Sequence, residues 1–125
     1  MALALLAVPA CATTGGMKSA PITEGVSRSF QGDYDRVLSA ARESVVDAGL
    51  DIDEVSKVDD KTWMIIAKKG ASAWSWGELV RVVVQETGPA ETSVRVLTER
   101  RMATNVAAKG DYSKSIFSGM EFKLK

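Results

Sequence analysis

The sequence predicts an α+β fold. The expected form is a two-layer sandwich, an antiparallel meander sheet with helices on one face, in the order β-α-β-β-β-β-α. Three observations lead there. A stretch of helical period lies between Asp33 and Ala48. After it come strand-like runs joined by short turns, and short connections make neighbouring strands antiparallel. The chain then returns to helical spacing beyond Asp111. Strands grouped together rather than alternating with helices define this class.

Each element has its own justification. VSRSF, Val26 to Phe30, alternates as a first strand. Gly32-Asp33 then supplies a turn and an N-cap. Tyr34, Val37, Leu38, Ala41, Val45 and Ala48 follow in steps that place them on one helix face. Asp33 is positioned to accept the free N–H groups, and Asp35 lies near the positive end of the helix. Gly49 is the expected residue just past its end.

Ile52 to Val58 is irregular. Ile52, Val55 and Val58 do not share a face, which implies a bulge. Asp59-Asp60-Lys61 is a turn. TWMIIAKK, Thr62 to Lys69, is apolar on both faces in its middle. After a turn at Gly70 to Ser72, Leu79 to Thr87 sets Val80, Val82 and Val84 against Arg81 and Gln85. Gly88-Pro89-Ala90-Glu91 turns again. Thr92 to Arg101 sets Val94, Val96 and Thr98 against Arg95, Leu97 and Glu99. The face with Arg81, Gln85, Arg95 and Glu99 is expected to meet water or a partner. In the last segment Tyr112, Ile116, Phe117, Met120 and Leu124 share a helical stripe that Asp111 can cap. MEFKLK also alternates as a strand would. The helix is favoured because Phe122 is the only apolar residue off its stripe, although Gly119 costs it about 1 kcal/mol relative to alanine.

Composition removes several functions. Lys and Arg total 16, Asp and Glu total 16, and the net charge is zero. A nucleic-acid binder needs a basic excess, and docking on anionic lipid needs a polybasic patch. The chain has no histidine, so Ser-His and Cys-His dyads, histidine metal sites and histidine proton shuttles are absent. A single cysteine makes no internal disulfide. The domain is expected to fold without metal or cofactor.

The start of the chain carries the most specific signal. MALALLAVPA, Met1 to Ala10, is apolar and uncharged. It is shorter than the ~20 residues of a membrane span, but fits the roughly 7–15 residues of a secretory apolar region. Val8-Pro9-Ala10-Cys11 then resembles the bacterial lipobox, in which an aliphatic, a variable and a small residue precede a cysteine. That resemblance implies that Cys11 receives a diacylglyceryl group and becomes the acylated first residue. Residues 1–10 are then a signal peptide, and a truncated one, since no basic residue precedes Lys18. Residues 11–25 follow as a lipidated cysteine and flexible tether, rich in Gly, Thr, Ser and Ala. Residues 26–125 form the globular domain. The whole resembles a set of small, largely uncharacterised bacterial lipoproteins through its lipobox and its FQGDYDRVLSAA, WSWGE and RRMATNV segments. The resemblance implies a place in the cell envelope on the periplasmic side. Alanine at Ala12 implies the outer rather than the inner membrane.

Candidate functional residues are few. Trp74 and Trp76 point to one side of an extended stretch. They can stack on a sugar or hold a cation, or close the end of the core. Arg100 and Arg101 can fork to an anionic glycan or phosphate, or pair with Glu78 or Glu99 at the strand end. Trp74, Trp76, Glu78, Arg100 and Arg101 thus form a candidate ligand or partner surface. The acidic residues Asp51, Asp53, Glu54, Asp59 and Asp60 lack calcium-loop spacing, and the glycines form no phosphate loop. The expected function is a non-catalytic, lipid-anchored periplasmic domain that binds an envelope protein or glycan. Its partners are the membrane through Cys11 and that component, and not nucleic acid. Two readings stand beside it: a structural subunit of an envelope assembly, and an enzyme using carboxylates on cell-wall material. The enzyme needs two carboxyls roughly 5–10 Å apart.

Overall fold

The structure, a computed structural model, describes residues 14–69, 77–100 and 112–125. Its elements are α1 (Thr14–Ser19), β1 (Val26–Gln31), α2 (Tyr34–Asp47), β2 (Asp51–Asp59), β3 (Thr62–Lys69), β4 (Glu78–Gly88), β5 (Glu91–Arg100) and α3 (Ser113–Lys123). The five strands make one open antiparallel sheet in the order β1-β5-β4-β3-β2. Strands β2 to β5 are the expected meander. The first strand closes the far edge beside the last.

Helices α2 and α3 cover one face, as the two stripes predict. Val37, Ala41 and Val45 meet Val80, Val82, Val84, Val94 and Val96 from the sheet and Ile116, Phe117 and Met120 from α3. Off the α3 stripe, Phe122 is 75% exposed. Helix α2 ends where glycine allows it. Gly49 has φ +88°, and its N–H donates to the Val46 carbonyl while Leu50 N–H donates to that of Val45. This pair of bonds satisfies helix carbonyls that would otherwise be free. At the other end Asp33 holds the N-cap position but makes no side-chain capping bond. Gly119, inside α3, is used for its missing side chain. A Cβ there would lie 2.9 Å from Ser44 Oγ, so glycine is what lets α3 approach α2 this closely.

The predicted irregularity in β2 is present as two register shifts, at Ile52/Glu54 and Lys57/Asp59. They disturb an outer edge of the sheet that also carries Asp51, Asp53 and Glu54. Bulges and charges of this kind discourage pairing with another chain.

Two expectations are corrected on the opposite face. The segment read as a flexible tether is folded from Thr14. Helix α1 lies on β3 and β4, and Met17 is 1% exposed among Met64, Ile66, Leu79 and Val83, with Leu97 at the margin. The face expected to meet water is therefore covered in its middle, and Arg81 is fully buried. The physical reason lies in the strands. β3 is apolar on both sides, and a strand of that kind needs cover on both. A Gly- and Thr-rich segment supplies it with one large apolar side chain.

Candidate functional site

Strands β3, β4 and β5 share one end of the sheet, where Lys69, Glu78 and Arg100 are successive register partners. This end holds the two members of the predicted surface that lie among the described elements. Glu78 is 2% exposed and accepts a hydrogen bond from the Tyr112 hydroxyl at 3.1 Å. The Tyr112 N–H in turn donates to Thr98 Oγ1 at 3.2 Å. Burial, and then the Glu78 carboxylate, push the Tyr112 phenol up to about 12. The phenol therefore stays a donor throughout the neutral range. This cluster fixes the start of α3 to β4. Arg100 stands opposite Glu78 in the backbone register. Cys11, Trp74, Trp76 and Arg101 lie outside the described residues.

The second constellation was not anticipated from the sequence. Arg81 reaches from β4 to the segment that follows α1. Its Nη1 donates to the carbonyls of Met17 at 2.9 Å and Ala20 at 2.6 Å, and its Nη2 to that of Pro21 at 2.8 Å. Among the described residues its Nε has no hydrogen-bond partner. Burial holds the guanidinium below the ordinary arginine value, opposed by the nearby charges of Glu24 and Glu99. Arg81 is thus a clamp on main-chain oxygens, using the fork geometry that lysine lacks. Lys18 adds an ion pair to Glu54 at 2.8 Å, and Arg95 Nη1 donates to the carbonyls of Thr23 and Gly25. Residues 14–25 form a strap that crosses the sheet from β2 to β1. One sequence signal pointed here: Arg81 shares a face with Leu79, Val83, Met64 and Ile66, too apolar a neighbourhood for a solvated arginine.

A third feature is an open groove of about 480 Å³ beside α2 and the end of α3, with Arg42, Val46 and Ile52 in its lining. Lys123 lies in it, bonded to Asp47 at 2.8 Å and near Glu43 at 3.8 Å. The Asp47 hydrogen bond, followed by the charges of both acids, raises its ammonium above the usual lysine value. Its charges are mixed, and Lys123 is paired within it to Asp47 and Glu43.

Among the described residues, no three metal-ligating side chains come together, and no helix is long and apolar enough to cross a membrane. No protein-family model matches the chain, and no curated protein is significantly similar to it. What the geometry defines is a class: an open-sheet α+β domain whose second sheet face is covered in its middle by the strap of residues 14–25.

Proposed function

We propose that the protein is a lipid-anchored domain of the bacterial cell envelope. It sits on the periplasmic side, held at the outer membrane, and binds an envelope protein or glycan without catalysing a reaction. The observation that carries this reading is Cys11 placed directly after Val8-Pro9-Ala10 and an apolar run. The zero net charge agrees with it, since binders of nucleic acid or anionic lipid ordinarily carry a basic excess. One acyl chain gives only marginal membrane binding, whereas two or more anchor stably.

The test is Cys11→Ser, expressed with a complete export signal. Wild-type protein partitions with membranes and gains the mass of the acyl groups. The variant is released as soluble or unprocessed protein. Equal partition of the two would sink the reading. Crosslinking in intact cells, followed by identification of what is attached, names the partner.

A further inference from the structure

We propose that the strap turns the lipid anchor into a fixed mount, holding the strap side of the sheet at the bilayer surface. The inference rests on acylation of Cys11. Only Ala12 and Thr13 separate Cys11 from α1. At ~3.3–3.6 Å per extended residue, the acylated residue lies within about 10 Å of the helix. Fourteen free residues would reach ~50 Å on the same scale.

Beyond Thr13 the strap has little free length to let out. Met17 is buried, Lys18 is paired to Glu54 on β2, and Arg81 on β4 holds the carbonyls of Met17, Ala20 and Pro21. Arg95 on β5 holds those of Thr23 and Gly25, and Val26 opens β1. With Met17 packed on Met64 and Ile66 of β3, all five strands thus fix a segment twelve residues long. Of the exposed strap residues, Lys18 and Glu24 carry opposite charges and Ser19, Pro21, Ile22 and Thr23 carry none, so this side has no net charge and can lie on lipid headgroups of either sign. The partner surface is the bilayer itself. Any third component is one that reaches the membrane plane.

The experiment uses the full, acylated chain in phosphatidylethanolamine–phosphatidylglycerol vesicles that contain a headgroup-labelled acceptor lipid. Ser29→Cys carries the donor dye. Ser29 is exposed and opposes Ser93, on the strap side of the sheet, and the acylated Cys11 does not compete for the dye. A second protein has fourteen Gly/Ser residues inserted between Thr13 and Thr14, which leaves every strap contact in place. The resulting free chain of about seventeen residues has a root-mean-square span of ~20–25 Å, so energy transfer in the original chain exceeds that of the insertion variant at least about twofold. Met17→Asp, which releases the strap, lowers transfer likewise, and the insertion variant decides the matter where Met17→Asp unfolds the domain. Acylated proteins with equal transfer overturn the mount alone. A chain that gains no acyl mass and leaves the vesicles overturns the mount together with the anchored reading.

Discussion

Truncating Met17 to alanine tests how the strap is held. Met17 is 1% exposed, and removing such a side chain from a packed site costs about 2–5 kcal/mol. The strap can peel away while the sheet stays folded, so the loss in global stability is capped by the strap's own docking free energy. That quantity is small. Burying Met17 contributes about 1.5–3 kcal/mol. The Arg81 hydrogen bonds are strong, at about 1.5–3 kcal/mol each, but desolvating the guanidinium costs several kcal/mol. Met17→Ala is therefore expected to lower global stability by about 2 kcal/mol and to leave the strap largely undocked. Two measurements check this. Urea unfolding gives a lower midpoint and a smaller m-value, because the native state has already exposed the strap face. Hydrogen exchange loses protection at the Ala20 and Glu24 amides, which donate to the Gly16 and Pro21 carbonyls. Ile22→Ala, on the same strap but 36% exposed, is the control and shifts stability by no more than about 0.5 kcal/mol. A Met17→Ala protein with wild-type midpoint and wild-type exchange at both amides refutes the reasoning.

Gly119→Ala is expected to destabilise by about 1–3 kcal/mol through overpacking on Ser44, despite the better helix propensity of alanine. Adding Ser44→Ala, which removes an unpartnered buried hydroxyl, recovers part of that loss in the melting temperature. Both tyrosines of the chain, Tyr34 and Tyr112, have phenols raised to about 12, mainly by burial. A raised native pKa stabilises fully below the unfolded value near 10, and that stabilisation is lost as pH climbs through about 12. Phenolate absorbance of the folded protein should therefore be absent at pH 10.5 and appear on adding denaturant, and native titration of either ring near pH 10 contradicts this. Residues 26–125 alone should still melt cooperatively, but with about 2 kcal/mol less stability and with increased binding of a hydrophobic dye to the uncovered strap face. Dye binding equal to that of the full chain counts against the strap.

The α2/α3 face was legible because its signals repeat. Val80, Val82 and Val84 alternate on one strand, and Val37, Ala41 and Val45 recur on one helix, so several residues give the same answer. The β2 irregularity was readable from three apolar residues that could not share a face. The strap was not, because its docking depends on one methionine and on main-chain carbonyls. Carbonyls are the same in every residue and leave no mark in a sequence. The Arg81 face is one the sequence assigns to water or a partner, and what covers it is the chain's own segment, 60 positions earlier. At the candidate surface, the sequence offered Glu78 and Glu99 alike as strand-end partners for the arginines, and it is the strand register that sets Glu78 opposite Arg100. The Tyr112 contact to Glu78 was not legible, since it depends on how α3 meets the sheet.

The order of the strands also governs the order of assembly. β2 to β5 pair with their neighbours in sequence and can zip as successive hairpins. β1 cannot, because its partner is β5 and Val26 must wait for Val96. The strap waits as well, for Arg81. Contacts of such long sequence separation form late and slowly. During synthesis residues 14–31 therefore stay unpaired while the rest of the chain emerges, and the strap closes over the sheet only after β4 and β5 are in place.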